Sequence, residues 1–293
     1  MPESVPDPAA GRAPTSPSAS DPSGPLAGDP PGPPAGRPRR EIVSFVRRGS
    51  RLTAAQERAE RAFAERYVLD VQRGQRDTLA APGVRLDPRA IFGNDHPLIV
   101  EIGSGQGDSI AAAAAARPEV NFLAFEVYRP GIAQTLLHLE RLGLPDNVRL
   151  LEIDAQHSLA TLLPAGSISE VWIFFADPWH KAKHHKRRLM SEDFLRSLLP
   201  LLTPGARVRT ATDWADYGAH QARAFAALEA EGLVENVYPN GPRPAGTTTD
   251  PIPEDMPERG FSPRFEGRVT TAFENKAHAA GRLVWELTYT RKR

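Results

Sequence analysis

The sequence predicts an α/β fold, a doubly wound and mostly parallel sheet with helices on both faces. Two observations carry that prediction. From about residue 97 onward, short apolar runs of strand length alternate with helical patterns, the order that builds a parallel sheet through crossover connections. The first of these runs also ends in a glycine-rich turn that opens a helix. In such sheets, ligands bind at the carboxyl ends of the strands.

The elements follow in order. Residues 1–40 carry 12 of the 29 prolines, with much Gly, Ala, Ser and Asp and almost no large apolar side chain. Such a stretch cannot bury enough apolar surface to offset its ordering entropy, so a disordered tail is expected before a domain over 41–293. That domain opens with a helical lead-in over 41–80, where Leu52, Ala59, Phe63 and Tyr67 fall partly on one face among many charges. "PLIVEI" at 97–102 reads as a first strand buried on both faces. "DSIAAAAAARPE" at 108–119 is a helix, and "NFLAFEV" at 121–127 a second strand. "RPGIAQTLLHLERLG" at 129–143 is a helix with apolar Ile132, Leu136, Leu137 and Leu139. "NVRLLEID" at 147–154 and "SEVWIFFAD" at 169–177 are the third and fourth strands. "SEDFLRSLLPLL" at 191–202 begins with a serine and acids in capping positions and is expected to run as a helix to Pro204. "ARVRTATD" at 206–213 is a fifth strand, followed by a helix over 215–232 that Gly232 ends. Strands are expected at 233–238 and, with alternating character, at 282–291. Between them, 240–275 is rich in Pro, Gly and Thr, a long irregular insertion of the kind that is functional or mobile.

Composition removes several classes of function. The chain has 293 residues, 40% hydrophobic and 25% charged, which is ordinary for a globular protein. It contains no cysteine, so disulfides, thiolate metal sites and cysteine nucleophiles are excluded, and a reducing compartment fits. No run approaches the length of a membrane span, and the first residues do not read as a secretory signal. Lys and Arg number 36 and so do Asp and Glu. Attraction to a polyanion must therefore come from a local patch.

The ends of the expected strands carry the chemistry. Glu101-Ile102-Gly103-Ser104-Gly105-Gln106-Gly107 closes the first strand. Its spacing is G-x-G-x-G, whereas dinucleotide sites use G-x-G-x-x-G with a pyrophosphate on the helix N-terminus. Glu101 beside the turn would repel a pyrophosphate and welcome an ammonium group, so a nucleoside carrying an ammonium is favoured over a dinucleotide or a plain turn. Glu126 closes the second strand, where an acid binds ribose hydroxyls. Asp154 and Ala155 close the third, where an acid accepts from adenine's amine and a small residue lets the ring approach. A ribose, an adenine and an ammonium together describe S-adenosyl-L-methionine.

At the fourth strand end stands Asp177-Pro178-Trp179, which resembles the Asp-Pro-Pro-Tyr pattern of amino-methyltransferases. Taken alone, Asp177 reads better as a helix cap or an Asx-turn, and Trp179 as a partly buried packing residue. The next residues argue for a site: Lys181, Lys183, Lys186, Arg187 and Arg188, with His180, His184 and His185 interleaved, make a concentrated phosphate-binding patch. His180 and His184 have metal-pair spacing, but the surrounding cations and the lack of a third ligand argue against a metal.

From "SFVRRGSRLT" to the C-terminus, the chain resembles the bacterial tRNA (guanine-N7-)-methyltransferase family. The likeness rests on "VEIGSGQG", "FEVYRPG", "FFADPWHKAKHHKRR", "ATDW" and "TAFE". It implies a Rossmann-like methyltransferase sheet with an antiparallel last strand, a cytoplasmic enzyme, S-adenosyl-L-methionine as cofactor, tRNA as partner, and no required metal or membrane. It further implies that Glu101, Gly103, Gly105, Glu126, Asp154, Ala155 and Asp177 line the cofactor site, with Asp177 also the catalytic residue. Lys181, Asp213 and Thr271, Ala272, Phe273 and Glu274 would contact the guanosine. Lys183, His184, His185, Lys186, Arg187 and Arg188 would contact RNA. Two positions depart from the family pattern: Ala272 stands where a basic residue is usual, and Val269 where a proline is. Competing readings are an NAD-dependent oxidoreductase, a methyltransferase acting on a small molecule or another base, and a non-catalytic RNA-binding protein.

Overall fold

The computed structural model describes residues 43–45, 49 and 51–292; the expected tail over 1–40 lies outside them. Among the described residues seven strands form one sheet in the order β3-β2-β1-β4-β5-β7-β6. They are β1 (Leu98–Ile102), β2 (Asn121–Phe125), β3 (Val148–Leu151), β4 (Ile168–Phe174), β5 (Leu202–Thr212), β6 (Val234–Asn236) and β7 (Trp285–Arg291). Strands β1 to β5 pair in parallel, and β7 runs antiparallel to both β5 and β6. The last strand of the chain thus has the expected direction.

Strand periodicity divides the core in two. Leu98, Val100, Ile102, Leu123 and Phe125 face one side, where they meet side chains of α5 (Ala155–Leu162), α6 (Glu192–Leu198) and α7 (Ala215–Ala230). Ile99, Phe122 and Ala124 face the other, against α1 (Ala54–Tyr67), α3 (Asp108–Ala116) and α4 (Arg129–Arg141). A short α2 (Pro88–Phe92) precedes β1. Chain order reverses between β1 and β4, so the crevice at their carboxyl ends is the natural ligand position.

Several elements differ from the sequence reading. Among the described residues the lead-in is helical only over α1, where Thr53 forms a reciprocal cap with Gln56. Helix α6 gives way to a tight turn over Leu199–Leu201, because Pro200 has no amide proton to continue it, and β5 then begins at Leu202 and runs through Pro204. Helix α5 was not foreseen, since Asp154 reads as a strand end. In fact β3 stops at Leu151, and Asp154 is the N-cap of α5, its carboxylate accepting from the Gln156 amide.

The 240–275 insertion is pinned rather than loose. Gly260 N donates to Gly241 O (2.8 Å), Ser262 N to Glu286 O (2.8 Å) and Phe265 N to the Glu286 carboxylate (2.9 Å). It ends in α8 (Ala272–Ala279), capped by Thr271.

Candidate active site

Two adjoining cavities, each about 260 Å³, open at the carboxyl ends of β1 and β4 and share Gly103, Gly105 and Phe175 as walls. One holds Glu126, Asp154, Ala155 and Asp177, with apolar Phe125, Ile153 and Leu189. The other holds Glu101, Asp108, Arg268 and the 271–273 segment. Residues expected at the ends of four different strands are thereby gathered in one crevice.

The glycine-rich turn is held tightly. Gly103 N and Ser104 N both donate to Phe125 O (2.8 and 3.2 Å), so the turn folds back over the end of β2. Gly107 takes a left-handed φ of 78° as the N-cap of α3. Gly131, in α4, is required for a different reason: a Cβ there would lie 2.2 Å from the Gly105 carbonyl oxygen, and backbone cannot give way cheaply. Gly131→Ala is expected to lower stability by roughly 1–3 kcal/mol through overpacking. It should also shrink the rise in melting temperature that added cofactor produces, which thermal melts with and without ligand will read.

Glu126 is fixed by three backbone donors. Its Oε2 accepts from Gly105 N (2.7 Å) and its Oε1 from Val127 N (2.7 Å) and Tyr128 N (2.8 Å). Burial pushes its pKa up, against the pull of those amides. A carboxylate so oriented at a cavity wall suits a vicinal diol. Glu101 is different. It is 4% exposed, and its Oε2 has no hydrogen-bond partner. Burial, then the nearby carboxylates of Glu126 and Asp108, push it up to about 8. A buried carboxyl with an unsatisfied oxygen among other acids fits a cationic ligand. The residues present therefore fit the nucleoside and ammonium ends of S-adenosyl-L-methionine. Asp154 serves partly as scaffold: besides capping α5 it accepts from His157 Nδ1 (2.6 Å), which sets Ala155 against the cavity.

Asp177 lies three residues past β4, on a turn flanked by two non-glycine residues with left-handed backbone, Phe175 (φ 54°) and Trp179 (φ 48°). Such conformations persist only where the surroundings impose them, and they cluster at functional sites. Phe175 N is held by Ala211 O on β5 (2.8 Å). Arg188 Nε donates to Pro178 O (2.8 Å), and Trp179 Nε1 to Ser44 O (3.0 Å). Arg187 donates to the carbonyls of Val43 and Phe45, both at 2.9 Å, with its guanidinium 3.7 Å from the centre of the Trp179 ring. Ser44 and Phe45 consequently line the cofactor-side cavity, a contribution that nothing in their sequence signalled.

The cation run begins in extended backbone at Lys181 and forms a two-turn 3-10 helix over Ala182–Arg187. Lys181, Lys183 and Lys186 are exposed, and His184 and His185 half-buried. Arg187 is turned toward 43–45, and Arg188 is buried, so these two do not present their guanidinium groups as free surface cations.

Asp213, expected at the guanosine, is 6% exposed and paired with Arg282 at 2.9 Å. Of the 271–274 segment, Thr271, Ala272 and Phe273 line the second cavity, and Phe273 stands 51% exposed beside the Phe175 ring, 5.6 Å between centroids. Glu274 points elsewhere. It is buried and accepts from Arg268 (2.5 Å), which also donates to Glu286 (2.6 Å) and lies over Phe175 (5.1 Å). Glu274 thus anchors α8 and steadies the aromatic wall. Lys276 also lines this cavity, one helical turn beyond Ala272 and on the same face. The sequence alone does not single it out, because its place on the cavity wall depends on α8 being helical.

A family model described as "Putative methyltransferase" matches residues 95–287. The tRNA (guanine-N(7)-)-methyltransferase of Arthrobacter sp. (strain FB24) is 42% identical over 275 residues, covering 85% of this chain and 86% of that protein. The enzyme of the same name from Cutibacterium acnes is 45% identical over 253 residues, covering 86% and 84%. That of Methylococcus capsulatus is 38% identical over 254 residues, covering 87% and 96%. With the crevice, its acids and the Asp-Pro-Trp turn in place, the chain belongs to the tRNA (guanine-N7-)-methyltransferase family.

Proposed function

We propose that this protein methylates N7 of a guanine in the variable loop of tRNA, using S-adenosyl-L-methionine. The observation that supports this most strongly is the juxtaposition of two features. A buried, unsatisfied Glu101 lies in a glycine-walled crevice, and a strained Asp177 turn opens from that crevice onto exposed lysines. When bound, the cofactor supplies a methyl group on a positively charged sulfur.

Guanine N7 carries an in-plane lone pair, so no proton must leave before it is methylated. No side chain is needed as a general base. The protein's work is to hold N7 in line with the methyl group, an orientation effect that reaches about 7–11 kcal/mol in well-aligned systems. Methylation places positive charge on the guanine ring and makes its N1 proton more acidic. Asp177 accepts from N1–H and the 2-amino group, a contact that tightens as that charge develops. Asp213 is the less suitable candidate, because its carboxylate already pairs with Arg282. Phe273 offers an exposed ring for the base, and Lys181, Lys183 and Lys186 offer charge for phosphates. No helix among the described residues is long and apolar enough to cross a membrane. A cytoplasmic site of action accords with a tRNA substrate.

The direct test is incubation with methyl-labelled cofactor and bulk tRNA, followed by nucleoside analysis. Label should appear as 7-methylguanosine, and complex formation should weaken steeply with salt, as phosphate contacts require. Label in another nucleoside, or none in RNA while the cofactor binds, overturns the reading.

A further inference from the structure

The cation run that follows Asp177 is continuous in sequence and divided in space. Arg188 closes it, with a side chain only 1% exposed. Its Nε donates to the Pro178 carbonyl at 2.8 Å. Its Nη2 meets the Asp216 carboxylate and lies 3.0 Å from His185 Nε2. The guanidinium also lies 5.2 Å from the centre of the buried Tyr217 ring. Asp216 and Tyr217 belong to the first turn of α7, which follows β5 directly. One planar fork therefore ties the loop after β4 to the helix after β5. The carbonyl it holds is that of the residue between Asp177 and the left-handed Trp179.

We infer that Arg188 is a positioning residue that fixes the Asp177–Trp179 turn, with Asp216 as its anchor, and is not an RNA ligand. A buried group satisfied on two sides has no free donor face for a phosphate. Losing its Nε donor would free the Pro178 peptide to relax, and with it the direction of the Asp177 carboxylate. A lysine keeps the charge but lacks the fork, so it cannot hold Pro178 and Asp216 together. The inference rests on the tRNA-methylating reading given above.

Arg188→Lys and Asp216→Asn test it, with Lys186→Ala as the reference for an exposed phosphate ligand. Single-turnover methyl transfer is measured at saturating cofactor and tRNA, and tRNA affinity across a salt series. Arg188→Lys should lower the single-turnover rate constant tenfold or more, leaving tRNA affinity within twofold and its salt slope unchanged. Asp216→Asn should move the rate in the same direction by a smaller factor. Lys186→Ala should instead weaken binding and flatten the salt slope by about 0.7–0.9. A rate for Arg188→Lys within twofold of the unmodified enzyme, or a slope change like that of Lys186→Ala, overturns the inference. Should Arg188→Lys fail to fold, Asp216→Asn decides, and an unchanged rate there overturns it. If the unmodified enzyme does not methylate tRNA, the underlying reading fails, and the affinity and salt arms still decide whether Arg188 touches RNA.

Discussion

Replacing Asp177 by Asn is expected to leave the fold intact and to lower the methyl-transfer rate constant on the order of 100-fold, the scale seen when one preorganised transition-state contact is removed. The side chain is exposed at the crevice, so its truncation in charge leaves no buried hole. Asn keeps the shape and one acceptor oxygen, but it brings an NH2 group against the guanine's own donors. Because the contact strengthens as charge develops, the loss should fall on the rate constant more than on tRNA affinity. Rapid-quench single turnovers, with circular dichroism to verify folding, separate the two. A variant turning over at the unmodified rate would remove Asp177 from the mechanism.

Glu101→Gln is expected to weaken cofactor binding on the order of 100-fold, because truncating one partner of a buried charge pair costs about 2–5 kcal/mol. The same substitution carries a signature in stability. Glu101 titrates at about 8 in the folded protein against an ordinary 4.5, with burial as the main cause. Between those values the folded state binds more protons than the unfolded one, so its contribution falls as pH rises from about 4.5 to about 8. The Gln variant lacks that loss and should melt higher than the unmodified protein at pH 8 without ligand, although it binds ligand worse. An ammonium-bearing cofactor draws Glu101 into its ionised form, so binding near pH 7 should release a proton. Calorimetry in two buffers of different ionisation enthalpy detects that release, which disappears in Glu101→Gln. Affinity within a few-fold of the unmodified protein would place the cofactor's ammonium elsewhere.

Much of this crevice was legible from the chain alone, for an identifiable reason. Strand and helix periods are local, and β1, α3, β2 and α4 emerge within a residue or three of where their patterns put them. Three glycines beside Glu101 leave few local geometries. What stayed hidden depends on partners far away in sequence. Arg188 looks like every other cation in its run, and only the arrival of Asp216 from α7 distinguishes it. Glu274 reads as a ligand-facing acid until Arg268 and its second partner Glu286 are brought around it. Asp213 reads as a guanosine contact until Arg282, three residues before β7, reaches it. Helix α5 was a different failure. Ala155, Leu159 and Leu162 follow Asp154 at helical spacing, so the signal is present in the sequence, and the one carboxylate both caps α5 and faces the cavity.

The claim that Asp177 grips the guanine, rather than acting as a base, is tested most directly by pairing the protein substitution with a substrate substitution. A tRNA assembled from two halves with inosine at the target position lacks the 2-amino group but keeps N7 and its lone pair. Single-turnover rates are measured for the unmodified enzyme and Asp177→Asn on guanosine and inosine substrates, as a double-mutant cycle. If Asp177 accepts from the base edge, the Asn penalty should shrink about tenfold on inosine, the worth of one hydrogen bond to a charged group. An identical penalty on both substrates would contradict the grip and return Asp177 to some other role.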